Sequence, residues 1–177
     1  MKTFKNIVVL KHSIEPVWQT MRDRLPELAA LVGDIDSIRV IERYSENSKV
    51  RLLNEWRSSQ SVPVFMQASL GAAAIEWLDR NEWDDTTRQC TWRISPNILR
   101  DYISCEGSTT FEPAMGGRGT RVTIHGTFSL APGAVRGLAG PFEQAVTAFV
   151  ESIVSTMVPK NFRKILEAAA ELIRREL

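Results

Sequence analysis

GPFEQAVTAFVESIVSTMVPKNFRKILEAAAELIRREL, residues 140–177, reads as one long amphipathic helix that the preceding chain can wrap. Pro141 stands in the first turn, where a missing N–H has no intrahelical partner to lose. Phe142, Val146, Phe149, Ile153 and Met157 recur at steps of three and four residues, laying an apolar stripe along one face. Pro159 interrupts the pattern, and Phe162, Ile165, Leu166, Ala169, Leu172 and Ile173 resume it, which predicts a kink at the proline rather than an end. A continuous helix of this length spans roughly 55 Å at about 1.5 Å per residue. Its stripe requires a concave apolar partner.

Working outward, that partner is a sheet. From Asp36 the apolar period is two: Ile38, Val40 and Tyr44 share a face with Glu42, and after the turn Ser45-Glu46-Asn47-Ser48 the residues Val50, Leu52, Asn54 and Trp56 face one way while Arg51, Glu55 and Arg57 face the other. Further strands read over Ala74–Trp83, Arg88–Ser95, Tyr102–Phe111 and Thr120–Leu130, separated by Asp84-Asp85, Pro96-Asn97 and Gly116-Gly117. Tight turns at these points put Asn81 and Cys105 opposite Cys90, Asp79 and Ile103 opposite Trp92, and Gly107 opposite Gly126. Ile75, Trp77, Trp92, Ile94, Ile103 and Phe111 then share one face, with Glu76, Arg80, Glu82, Arg93 and Glu106 on the other, as a half-buried antiparallel sheet requires.

At the N-terminus, Phe4, Val8 and Leu10 give a first strand ending near His12. Ser13 is placed to cap a helix whose buried face is Val17, Trp18, Met21, Leu25 and Leu28, split by Pro26 and ended at Gly33. Between Val62 and Ala73, Pro63, Phe65, Met66 and Leu70 predict a short apolar helix or lid ending at Gly71. Ala131 to Gly140, rich in Gly and Pro, is the one linker-like stretch.

The 177 residues suit one domain, 1–177, of the α+β class. Twenty-two basic against twenty-one acidic residues, without a basic run, speak against nucleic acid as a partner. No segment has the length of a membrane span or the pattern of a secretory signal, so the expectation is a cytoplasmic protein. Cys90 and Cys105 are expected as reduced, small core residues.

Strand, helix pair, six strands and a long C-terminal helix is the order of the helix-grip fold, a curved antiparallel sheet of about seven strands around that helix. The residues Ile14-Glu15-Pro16-Val17-Trp18, the stretch Ile38 to Tyr44, and the hairpin Gly107…Phe111-Glu112-Pro113…Gly116-Gly117…Gly119-Thr120-Arg121-Val122 carry the likeness. Together they resemble the START/Bet v 1-like (SRPBCC) superfamily, which includes polyketide cyclases and lipid-transfer domains. The resemblance covers nearly the whole chain and implies a cavity between sheet and helix. It does not choose among the binders, enzymes and co-chaperones built on that scaffold.

The inner face is expected to carry Glu42, Asn54, Asp79 and Asn81 among Trp56, Trp77, Trp83 and Trp92, where a core that only packed a helix would be wholly apolar. A buried carboxylate must be hydrogen-bonded, hydrated or shifted in pKa. The expected ligand-binding residues are Asn54, Trp56, Trp77, Asp79, Trp92, Ile103 and Phe149. Glu42 and Asp79 are the candidates for proton transfer if the protein is an enzyme. His12 and His125 lack the companions of a triad or metal site, and Gly116-Gly117-Arg118-Gly119 lacks the helix and Lys-Ser/Thr of a phosphate loop. No metal and no cofactor is expected. The first reading is a non-catalytic binder or carrier of a small hydrophobic or amphipathic ligand such as a lipid, isoprenoid or polyketide, with at most transient membrane contact. The second is a cyclase/dehydratase-type enzyme using a cavity carboxylate, and the third a protein-interaction or co-chaperone module. The sequence leaves the oligomeric state open.

Overall fold

The computed structural model describes residues 1–134 and 140–177. Seven strands, β1 (Lys2–Leu10), β2 (Ile35–Glu46), β3 (Lys49–Ser61), β4 (Ala74–Asp84), β5 (Gln89–Pro96), β6 (Ile103–Ala114) and β7 (Gly119–Leu130), form one antiparallel sheet in the order β1-β7-β6-β5-β4-β3-β2. Helices α1 (Ile14–Asp23) and α2 (Leu25–Ala29) lead from β1 at one edge to β2 at the other, and Pro26 stands in the first turn of α2, as the split requires. The stretch around Met66 is a helix, α3 (Val64–Leu70), closed by Gly71 at φ 69°, a left-handed C-cap that glycine adopts without strain. This is the helix-grip architecture expected from the sequence. Gly137, read as part of a linker, lies outside the described residues.

The C-terminal helix runs without a break as α4 (Gly140–Ser152), a π turn (Ile153–Met157) and α5 (Val158–Arg175). The expected kink at Pro159 is corrected to this wider turn just before it. Proline cannot donate to the carbonyl of Ser155 and crowds it, and an i→i+5 turn removes the need for that bond, leaving Pro159 in the first turn of α5. Val146 of the expected stripe is buried as expected, but beyond it the buried line passes to Val150 and Val154, one position over from Phe149 and Ile153. Val146, Val150 and Val154 are fully buried, while Phe142, Phe149 and Ile153 flank them half-buried. The apolar arc is wide enough that the sheet meets its centre, and the aromatic residues fill its edges.

Face assignments along β4 to β7 hold, and the registers slip by even steps. Asp79 is opposite Ile94, Asn81 opposite Trp92, Trp83 opposite Cys90, and Cys105 opposite Ile94. The β4–β5 connection spans residues 85–88 with Arg88 at φ 54°, and the β5–β6 connection turns through Leu99 at φ 49°; both are longer than a two-residue turn, so each displaces the ladder without changing its parity. Glu42 and Tyr44 are the exception. A register shift between Val40 and Glu42 leaves Val40 opposite Asn54 but puts Glu42 opposite Leu53 and Tyr44 opposite Arg51, on the outer face.

Gly107 does pair with Gly126, and the reason is close packing. A Cβ on Gly107 would meet the Trp92 ring at 2.6 Å and the His125 carbonyl oxygen; one on Gly126 would meet Trp92 at 2.8 Å and the Phe4 ring. Trp92 and Phe4 stack over the pair, centroids 6.1 Å apart. Gly107→Val is expected to cost about 1–3 kcal/mol or more by overpacking, read by urea denaturation, because one of its neighbours is backbone that cannot rotate away. An unchanged midpoint would remove this account.

Candidate functional site

Two apolar clusters form under the sheet. One lies beneath α1, α2 and α5, with Trp18, Leu28, Val122 and Leu166 at its centre; the other lies beneath α3 and α4, with Ile98, Phe128, Val146 and Val150. Trp77 and Trp92 pack against both. Where the clusters meet, a cavity of about 150 Å³ is enclosed between β4–β6 and the π turn with the start of α5. Its walls are apolar except at Asp79, Asn81, Thr109 and Asn161, and Asp79 is the sole charged side chain on them among the described residues.

The polar cluster is built by period-two alternation on β3 and β4, which sends Asn54 and Trp56, then Trp77, Asp79, Asn81 and Trp83, to the inner face. Trp83 Nε1 donates to Asn81 Oδ1 at 2.8 Å, and Asn81 Nδ2 donates to Asp79 Oδ2 at 2.9 Å. An indole N–H only donates, so Asn81 must turn its oxygen to Trp83 and its NH₂ to Asp79, and Asp79 must accept. The relay thus favours the ionised carboxylate. Burial opposes it and prevails: the Asp79 carboxyl is pushed up to about 6, with Asn81, Asn54 and Trp56 each pulling it back down. Asp79 borders the cavity and keeps some accessible surface there, while protein packs densely around it.

Asn54, opposite Asp79 in the ladder, is fully buried, and neither its Oδ1 nor its Nδ2 makes a hydrogen bond among the described residues; the same is true of Trp56 Nε1. Both residues lie near enough to favour the charge on Asp79, yet short of hydrogen-bond geometry, the position of groups that a small rotation or a bridging molecule completes. Trp92 Nε1 is satisfied by Thr109 Oγ1 at 3.2 Å.

Of the residues expected to contact a ligand, Trp56, Trp77, Asp79, Trp92 and Ile103 line the cavity. Asn54 is buried behind that wall, and Phe149 lies on the flank of α4 outside it, where Val150 takes the inward position. Glu42, on the outer face with Tyr44 and Arg80, is apart from the cavity and cannot share proton transfer with Asp79. Met157, on the apolar stripe read from the sequence, lines the wall; Asn161 was not foreseen, and it reaches the wall just beyond the π turn, where the helix is rephased relative to a 3.6-residue repeat. Burial pushes the Cys105 thiol up to about 12 and raises the Cys90 thiol well above its ordinary range, so neither is poised as a nucleophile. Among the described residues no group of His, Cys, Asp and Glu could hold a metal ion, and no helix is long and apolar enough to cross a membrane.

No family model and no curated protein matches the chain. Solved structures do. A Thermus thermophilus protein is 19% identical with a TM-score of 0.64, covering 97% of this chain and 99% of that one. The ZhuI aromatase/cyclase from a Streptomyces species is 14% identical with a TM-score of 0.67, covering 98% and 94%. Ara h 8.0201 is 15% identical with a TM-score of 0.62, covering 98% of each chain. At these identities the likeness is one of fold, and the fold is the START/Bet v 1-like helix-grip fold.

Proposed function

We propose that the chain binds a small hydrophobic or amphipathic ligand in the cavity between the sheet and the C-terminal helix. The observation that carries this reading is the composition of the cavity wall, four tryptophans and aliphatic side chains around a few polar groups, the mixture that ligand pockets use and packed cores avoid. A volume of about 150 Å³ accommodates a molecule of roughly one aromatic ring. A lipid, isoprenoid or polyketide needs more room than this, so binding one requires the cavity to widen.

Toluene is the matching probe. Saturable change in tryptophan fluorescence on adding toluene, abolished by Ile103→Phe at unchanged fold, is the expected result; a linear, non-saturating response identical in both proteins would remove the reading.

A cyclase/dehydratase-type activity is the second reading, and it is favoured by one observation: a carboxyl held near 6 inside an apolar cavity is poised for general acid/base work. The aromatase/cyclase among the similar structures agrees with it at the level of fold. Asp79→Asn separates the two: in a binder it alters selectivity for the ligand's polar head group while binding of the apolar portion persists, whereas an enzyme keeps binding and loses turnover.

A further inference from the structure

We propose that the ligand carries a protonated amine, and that Asp79 is its counter-ion inside the cavity. This rests on the ligand-binding reading above and names the chemical class that the site selects. Asp79 is the single charged group on the wall, and no described cationic side chain borders the cavity to neutralise it. Its one hydrogen bond among the described residues is to Asn81, whose orientation is dictated in turn by Trp83, so the carboxylate is held as an acceptor. A buried carboxylate without a cationic partner is an expensive arrangement to keep if its role is only to pack, because an amide or apolar residue of similar volume would serve. It is the arrangement that a cationic ligand completes.

The surroundings fit the rest of such a molecule. Trp56 and Trp77 stack side by side on the wall, centroids 5.6 Å apart and planes 19° apart, and with Trp92 they present aromatic surface to an apolar body and to the ammonium beside it. Asn54, opposite Asp79 in the ladder, keeps an Oδ1 without a hydrogen bond among the described residues, a further acceptor in the same polar cluster. An anionic ligand meets the opposite situation: the cavity supplies like charge and no cation.

Three matched single-ring probes test this: benzylamine, benzyl alcohol and benzoate, titrated calorimetrically near neutral pH, with toluene as the neutral reference. Benzylamine is expected to bind about tenfold or more tighter than benzyl alcohol, and benzoate weakest of the set. In Asp79→Asn the amine preference is expected to collapse to within about threefold, with benzyl alcohol little changed. Acidification of the wild type is the check that needs no variant. Benzylamine affinity falls between about pH 7.5 and 5 as the carboxyl protonates, and benzyl alcohol affinity does not. The other titratable groups on the cavity wall, Cys90 of β5 and Cys105 of β6, stay neutral throughout that range. Toluene and benzyl alcohol binding without an amine preference overturns the assignment of Asp79 and leaves the ligand-binding reading intact. An amine preference that survives both Asp79→Asn and acidification overturns it equally. Failure of every probe, toluene included, overturns the binding reading itself.

Discussion

Trp18→Ala is expected to destabilise the protein by about 3–5 kcal/mol, the range for removing a large buried aromatic side chain. Trp18 is wholly buried and packs edge-on against Trp83 at 4.9 Å and Phe111 at 5.1 Å, so its removal opens a void that three elements line. Its ring is also the contact that holds α1 to the sheet at the β4–β5 turn. Trp18 Nε1 donates to Asp85 Oδ1 at 2.7 Å, Arg22 donates to the same oxygen at 2.6 Å, and the Arg88 guanidinium lies over the indole at 5.3 Å. Trp18→Phe separates these contributions. It keeps most of the packing, and Arg22 still satisfies Asp85, so its loss is expected to be about half or less of the alanine loss. Equal losses for the two variants, measured by circular dichroism in urea, would mean that the N–H to Asp85 contact and not the packing carries the effect.

Trp18 illustrates what was legible in the sequence. Its place on the buried face of α1 follows from spacing with Val17, Met21 and Leu25, and all four are buried. Faces of strands were legible for the same reason: side chains alternate strictly, and a slip by two residues preserves the alternation. Registers were not, because they depend on how many residues a connection consumes. The four residues 85–88 and the irregular turn through Leu99 shifted Asp79 and Cys105 past the partners that tight turns would have given them.

The candidate site was half legible. Asp79, Trp56, Trp77 and Trp92 were found as polar and aromatic residues sharing an inner face, which parity alone supports. Glu42 was misplaced by a single bulge, since one inserted residue exchanges the faces beyond it. Phe149 was misplaced by choosing the bulkier residue after Val146 for the buried stripe, when the β-branched Val150 and Val154 continue its centre. The orientation of Asn81 between Trp83 and Asp79, which makes the carboxylate an acceptor, is a three-body relation that only the folded register creates.

Asp79→Asn is expected to raise stability at about pH 7.5 by about 1–3 kcal/mol, and to leave it nearly unchanged at about pH 4. The folded-state carboxyl is raised from 3.8 to about 6 by burial, so between those values the folded protein holds a proton that the unfolded chain has released. Stability from this group is therefore greatest below the unfolded pKa and is lost as pH rises through the folded one, a penalty of up to about 3 kcal/mol for a shift of about two units. Asparagine removes the charge while keeping an oxygen that can accept from Asn81 Nδ2, so the relay to Trp83 survives. Carboxylates of the opposite kind complicate the wild-type profile alone: Arg22 and Arg43 hold Asp23 down against its partial burial, Lys164 and Lys160 hold Asp34 down, and both lose stabilisation as pH falls. They are present in both proteins, so the difference between variant and wild type isolates Asp79. A difference of the opposite sign near pH 7.5, or one that does not vary with pH, would show that the carboxylate is compensated within the fold and has no counter-ion to gain from a ligand.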